Sequence, residues 1–228
     1  MSYRFGDLRI DKVGVVGSGN IGPDIALFFA KAFHAHGVPV VVVDVAEEAV
    51  ARGRAKAEQK IGKGRESGAF RPDAAEAMSR CLTFTTDYAQ LSGASLVIEA
   101  ATEDLDIKRK IFTQLESLCG ATAILASNSS HIEPDEIFLP LAPSTRSRAA
   151  VIHYFFPAER NLLVEIVPGR ETLPAHTSAL MGLYEEIGKI PVRVDGRFGY
   201  AVNPVFEGLF LAAALAVEEG LGTVKEVD

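Results

Sequence analysis

The sequence predicts an α/β fold, a doubly wound and mostly parallel sheet, followed by the start of an all-α region. Three observations carry this. Short runs rich in valine and isoleucine recur at 13–16, 38–43, 96–99 and 123–126, the composition of strands buried on both faces. Longer segments with helical spacing separate them. Each run ends in a glycine or a polar residue, at Gly17, Asp44, Glu99 and Ser127. In a doubly wound sheet these carboxyl ends share one edge, which is where a ligand binds.

The first turn is the most informative. Gly17, Ser18, Gly19, Asn20, Ile21 and Gly22 form a G-x-G-x-x-G run between a valine strand and a segment with helical spacing. Gly17 permits a tight turn, Gly19 lets backbone N–H groups approach a pyrophosphate, and Gly22 lets the helix lie close on the strand. Pro23 suits a first helical turn, where N–H groups lack internal partners. Such a run alone is weak, because Gly-rich turns also follow strands for conformational reasons. Here a second strand ends in Asp44, 22 residues beyond Gly22, placed to accept both ribose hydroxyls of an adenosine. The pattern is that of a Rossmann-type dinucleotide site. No Arg or Lys follows directly in Val45, Ala46, Glu47 and Glu48, and Asp44 would repel a 2′-phosphate, so NAD is expected rather than NADP.

Length and composition narrow the class. At 228 residues the chain holds one large α/β domain, or one domain and part of another. A net charge of −7 without a basic face argues against nucleic acid as a partner. Cys81 and Cys119 have neither metal-ligand nor redox spacing, as expected of packed, reduced thiols in a cytoplasmic protein. Residues 1–12 carry Arg4, Asp7, Arg9 and Asp11 and lack the apolar stretch of a signal peptide. The longest late apolar stretch, 209–217, is too short to span a bilayer, so no membrane partner is expected.

Taken in order, a charged helix is expected over 46–66, with Arg52, Arg54, Lys56, Lys60, Lys63 and Arg65. It is either a solvated face or a landing site for an anionic substrate handle. Gly68 and Pro72 break it, and Pro72 opens a second helix. The β-branched and aromatic content of 82–86 reads as a strand. Thr102 is the expected cap of a helix over 103–118. A proline-bounded helical segment at 134–143 precedes two strands, 149–156 and 162–167, joined by the loop 158–161. A helix over 174–187 and a strand at 191–194 follow. Gly196 and Gly199 then mark a hinge into an apolar helix ending near Glu219. Val205, Phe206, Leu209, Phe210, Leu211, Leu215 and Val217 put apolar residues on nearly every side of that helix, so it calls for burial all round. Only nine residues follow Glu219. Truncation or a partner surface is the expectation, with 1–197 as the dinucleotide domain and 198–228 as the first helix of an incomplete C-terminal helical domain.

Candidate chemistry lies near the same edge. His153 ends one strand and Glu165 lies in the next, so a hairpin would bring them face to face. A carboxylate on one imidazole nitrogen fixes the tautomer and frees the other to take an alcohol proton. Alcohol oxidation by NAD requires that step. Ser130 and Asn203 would donate hydrogen bonds to the developing carbonyl oxygen. By spacing alone, a structural histidine satisfied within the sheet is an equally good reading. His34, His36 and His176 read as surface residues without partners, and His131 fits either role. No His, Cys or carboxylate cluster has metal-ligand spacing.

At these residues the chain resembles the L-3-hydroxyacyl-CoA dehydrogenase family over essentially its whole length. The resemblance rests on the glycine run with Asp44, Leu96-Val-Ile-Glu-Ala100, Glu103 and Asp104 with Lys108, Ala126-Ser-Asn-Ser-Ser130, His153-Tyr-Phe, Leu163-Val-Glu165 and Val202-Asn203. It implies NAD-dependent oxidation of a 3-hydroxyacyl-CoA to the 3-ketoacyl-CoA, with His153 as base, Glu165 as its partner, and Ser130 and Asn203 on the 3-oxygen. It also implies that Glu103 and Lys108 contact the cofactor. Two departures stand out. The family commonly has Asn, touching the nicotinamide half of NAD, where this chain has Phe156. It also continues for roughly another domain of helices, which form a homodimer interface and close the acyl pocket. Its CoA contacts lie along the helix after the acidic strand end, where Lys60, Lys63 and Arg65 are the candidate analogues by position on that helix and not by a matched motif. A dehydrogenase of a free hydroxy acid or sugar acid and a non-catalytic NAD-binding fragment are the alternatives.

Overall fold

The computed structural model describes residues 2–228. Its elements run β1 (Tyr3–Phe5), β2 (Leu8–Ile10), β3 (Val13–Val16), α1 (Gly22–Phe33), β4 (Val40–Val43), α2 (Glu47–Glu66), α3 (Pro72–Cys81) and β5 (Leu82–Thr85). Then come β6 (Leu96–Glu99), α4 (Leu105–Leu118), β7 (Ile124–Ser127), α5 (Pro134–Ile137), α6 (Pro143–Arg146), β8 (Ala149–Tyr154) and β9 (Leu163–Pro168). The last are α7 (Pro174–Glu186), β10 (Ile190–Arg193), α8 (Val202–Glu218) and α9 (Val224–Val227).

Eight strands form one sheet in the order β10-β9-β8-β7-β6-β3-β4-β5. All neighbours are parallel except β8 and β9, whose antiparallel pairing turns β9 and β10 against the rest. The chain winds outward from β3 through β4 to β5, then returns to β6 on the other side of β3. The gap between β3 and β6 is therefore the topological switch point, and register aligns Val16 with both Val43 and Glu99, and Glu99 with Ser127. The four expected turns share one edge because parallel strands of equal length end together.

Alternating residues of each strand feed two cores. Val13, Val15, Ile98 and Ile152 pack with Ile25, Phe29, Phe33 and Tyr184 on one face. Val16, Val97 and Val151 pack with Phe112, Leu115, Phe138 and Tyr200 on the other. Gly17 has φ +105, and a Cβ there would stand 2.5 Å from the Ala100 carbonyl oxygen. A Cβ on Gly22 would stand 1.9 Å from the Gly17 carbonyl oxygen. The turn is thus closed on itself by backbone contact, which no other residue type permits.

Some expectations need correction. Within the charged N-terminal segment, residues 3–10 form the antiparallel hairpin β1–β2, which carries too short an alternation to read. Asp104, not Thr102, caps α4: its carboxylate accepts the Ile107 N–H at 2.9 Å, and the helix starts at Leu105. The segment 134–143 splits into two single turns because Pro143 starts a helix afresh. No side chain of α8 is buried, and Val205, Leu209, Phe210 and Leu211 are 72, 60, 65 and 62 % exposed. Its first turn is held by Glu165 and Ser130, but most of its large apolar side chains stay exposed.

Gly22→Ala is expected to lower the urea midpoint by the equivalent of roughly 2–4 kcal/mol with an unchanged m-value, because a backbone carbonyl must give way. A wild-type midpoint would show that the turn can open without cost.

Candidate active site

The mouth at the switch point begins with the glycine turn. Ile21 precedes α1 without a side-chain cap, Pro23 in its first turn has no N–H, and the Asp24 N–H is taken by the Ile21 carbonyl at 3.0 Å. A Cβ built on Gly19 meets nothing within 4 Å, which leaves the backbone open to a phosphate. Asp44 braces the turn: its Oδ2 accepts the Ser18 N–H at 2.7 Å and its Oδ1 the Ala46 N–H at 3.0 Å. A carboxylate has about four acceptor sites, so it can still take hydroxyls. The Ser18 hydroxyl is turned inward to the Ala49 carbonyl at 2.9 Å. Asp24, fully buried in the first turn of α1, is neutralised by Lys56 at 3.0 Å and Lys60 at 2.8 Å. The turn, the open cradle and the ribose-facing acid together fit NAD.

The opposite wall rests on buried charge. Glu99 has no exposed surface, and Lys108 reaches both of its oxygens, at 3.0 and 2.8 Å. Ser127 donates to the same carboxylate at 2.6 Å. Lys108 Nζ also lies 3.4 Å from Glu103, whose Oε1 gathers the Ser129 hydroxyl and the Ser130 and His131 N–H groups at 2.6, 2.8 and 3.0 Å. Burial would raise the Glu103 carboxyl, but these donors and Lys108 outweigh it and hold it below its ordinary value. Lys108 is therefore sunk beneath the wall, where its ammonium bears on Glu103 and Glu99. Spacing hid this, since Lys108 reads as an ordinary position of an amphipathic helix.

His153 and Glu165 are directly opposed across the β8–β9 ladder. His153 is 4 % exposed and Glu165 not at all. The imidazole Nδ1–H donates to Glu165 Oε2 at 2.8 Å, because an ionised carboxylate can only accept. Nε2 is thereby left as the basic nitrogen. Glu165 Oε1 takes the Ala201 and Val202 N–H groups at 3.0 and 2.9 Å. Burial would raise the Glu165 carboxyl, yet the His153 hydrogen bond and these N–H groups hold it below its ordinary value. The Asn203 amide donates to the Ser130 carbonyl at 3.1 Å, and the Asn128 side chain accepts the Tyr154 N–H at 2.9 Å. One hydrogen-bonded group thus links residues 128–131, the His153–Glu165 pair and the start of α8.

Other residues are placed differently from expectation. His176 is half-buried and its Nδ1 is hydrogen-bonded to the Ser147 carbonyl at 2.9 Å, while His34 is held by the Lys31 carbonyl, so neither lacks a partner. The His131 ring stands between Glu103 and Glu207 at 4.0 and 3.9 Å. Phe156 is 64 % exposed, with Lys56 Nζ 5.3 Å from its ring centre. Lys60 also pairs with Glu159. A cavity of about 410 Å³ beside it is lined by Lys31, Lys60, Lys63 and Arg160 over Phe70, and Arg65 lies outside that lining. Tyr200, which carried no sequence signal, stands against His153 with ring centres 5.6 Å apart.

A family model described as 3-hydroxyacyl-CoA dehydrogenase, NAD binding domain, matches residues 12–197. The chain is 34% identical over 226 residues to a 3-hydroxybutyryl-CoA dehydrogenase of Mycobacterium tuberculosis, taking in 96% of this chain and 75% of that one. The solved structure of (S)-3-hydroxybutyryl-CoA dehydrogenase from Ralstonia eutropha matches with a TM-score of 0.87 at 30% identity, over 96% of this chain and 75% of the other. An NAD⁺-dependent 5-formyl-3-hydroxy-2-methylpyridine 4-carboxylic acid 5-dehydrogenase matches with a TM-score of 0.84 at 28% identity, over 96% and 69%.

Glu165 binds protons less readily folded than unfolded, so it contributes stability above the unfolded value, about 4.3, that is lost as pH falls through the lower folded value. Urea unfolding between neutral pH and about pH 3 should therefore show a shallower acid loss in Glu165→Gln than in wild type. Superimposable acid slopes would remove Glu165 from this linkage.

Proposed function

Because the chain belongs to the 3-hydroxyacyl-CoA dehydrogenase family, we propose that it interconverts a 3-hydroxyacyl-CoA and its 3-ketoacyl-CoA with His153 as general base. The observation that carries this is the 2.8 Å bond from His153 Nδ1–H to the buried Glu165, at the sheet edge that bears the glycine turn. Bound NAD supplies the acceptor for the hydride that leaves the substrate carbon. His153 Nε2 takes the hydroxyl proton as the hydride departs, and Glu165 balances the imidazolium. The Ser130 hydroxyl and the Asn203 amide hold the substrate oxygen as it becomes a carbonyl. Gly17, Ser18, Gly19, Asn20, Ile21 and Gly22 hold the pyrophosphate, Asp44 the ribose, and Glu103 with Ser130 the nicotinamide side. Lys108 acts from beneath through Glu103.

The anionic end of the acyl-CoA is assigned to the lysine-lined cavity at Lys60 and Lys63. Residues 198–228 are read as the opening of a helical unit that completes the acyl pocket and pairs two copies, which the bare apolar side chains of α8 support. A role in fatty acid oxidation follows from the acyl-CoA substrate, and a cytoplasmic location accords with two buried free thiols.

A rival reading, oxidation of an acid that carries no CoA, draws support from the pyridine-carboxylic acid dehydrogenase with the same architecture. Turnover on a CoA thioester against free hydroxy acids separates the two. A second rival, an NAD-binding unit without turnover, is favoured by the uncovered α8 and the aromatic Phe156. NAD binding by calorimetry with no oxidation of 3-hydroxybutyryl-CoA would establish it.

His153→Ala should lower oxidation of 3-hydroxybutyryl-CoA by about two to four powers of ten and leave the calorimetric Kd for NAD near wild type. Retained turnover rules out His153 as base. Lys63→Ala should raise KM for the CoA thioester roughly two- to fivefold with kcat unchanged. An unchanged KM would place the CoA end elsewhere.

A further inference from the structure

Tyr200 is the sole non-glycine among the described residues with positive φ, at 53°. A left-handed backbone is unfavourable for a side-chain-bearing residue and persists only where its surroundings over-determine it. Those surroundings can be named. The ring is fully buried in the layer that holds Val151 and Val167. Its hydroxyl donates to the Ile132 carbonyl at 2.6 Å, its N–H to the Arg197 carbonyl at 3.0 Å, and its own carbonyl accepts Arg197 Nε at 2.8 Å. The ring stands on the His153 imidazole at an interplanar angle of 61°.

The next two residues show what the conformation achieves. Ala201 and Val202 deliver their N–H groups to Glu165 Oε1. The Ala201 methyl offers no acceptor to the head of α8, and a carboxylate from β9 takes the first two N–H groups instead. With Oε1 occupied, Oε2 is held toward Nδ1–H of His153.

We propose that Tyr200 is a positioning residue of the His153–Glu165 pair: its anchored left-handed turn aims the Ala201 and Val202 N–H groups at Glu165, and its ring supports the imidazole. Its hydroxyl ties the same turn to the segment that carries Ser130. One side chain thereby registers the base, the base's carboxylate and the serine assigned to the substrate oxygen. What faces Glu165 is His153 from β8 and the two N–H groups at the start of α8, while β10 presents uncharged Val192 in register. The Tyr200 phenol is pushed up by burial, with Glu103, Glu165 and Glu133 nearby, so it stays a donor.

The catalytic meaning of this arrangement rests on the function proposed above, but the positioning does not require turnover to be read. Carboxyl-carbon NMR of Glu165 through an acid titration reads it directly in wild type, Tyr200→Phe and Tyr200→Gly. Glycine permits positive φ but imposes nothing, so the two N–H groups should leave Glu165 and its titration should rise by about half a unit or more. Phenylalanine keeps the buried ring and should leave that titration in place. In parallel, kcat should fall about tenfold or more in Tyr200→Gly with KM for NAD within about twofold, and recover to within about threefold of wild type in Tyr200→Phe. A folded Tyr200→Gly with the wild-type Glu165 titration overturns the proposal, whatever its turnover. A shifted titration in a protein whose wild type has no turnover upholds the positioning and sinks the dehydrogenase reading instead. Should Tyr200→Gly not fold by circular dichroism, Tyr200→Leu, which keeps buried bulk without the aromatic edge or hydroxyl, is read by the same criteria.

Discussion

The carboxylate of Glu165 is fully buried and both of its oxygens are engaged, one by His153 and the other by the first N–H groups of α8. A buried charge is tolerated only when it is paired and hydrogen-bonded, because its lost hydration costs several kcal/mol. Here the compensation for a carboxylate on β9 comes from two segments, the neighbouring strand β8 and the turn after Gly199, the latter more than thirty residues on. Neither can move without exposing that cost. That constraint fixes the imidazole tautomer and the direction in which α8 leaves the sheet.

The other wall of the cleft follows the same logic with opposite partners. Glu99 is the residue on which β6 ends, and at that depth it needs a cation. Lys108, drawn in from α4, meets it and extends its field to Glu103 at the surface. Glu103 then organises the N–H groups of Ser130 and His131. A chain of charge thus runs from the sheet interior to the segment assigned to the nicotinamide side. Asp24 repeats the device at the head of α1, where Lys56 and Lys60 tie the glycine turn to α2 and, through Glu159, to the loop after β8.

These networks brace the cleft at the glycine turn and leave the far side, along α8, bare. The glycine turn is locked by backbone contacts of Gly17 and Gly22 and by the Asp44 carboxylate. By contrast α8, pinned only at its first turn, presents its apolar side chains to solvent. Its attachment is electrostatic and local, whereas its side chains call for an apolar neighbour along their length.

The parallel sheet and the dinucleotide turn were legible in the residue order because each depends on short-range pattern, whereas spacing made the His153–Glu165 pairing conditional on a hairpin that the structure supplies. Runs of valine impose strands, and glycines with an acid beyond the next strand impose a phosphate turn. That α8 lacks a covering surface was legible too, since apolar residues on nearly every side of a helix can be counted without a partner. Tertiary structure alone decided the sinking of Lys108 under Glu99, the cap supplied by Glu165 to α8, and the left-handed Tyr200. Each of those joins groups whose separation in sequence bears no relation to their distance in space. Burial, not spacing, selects which charges must meet.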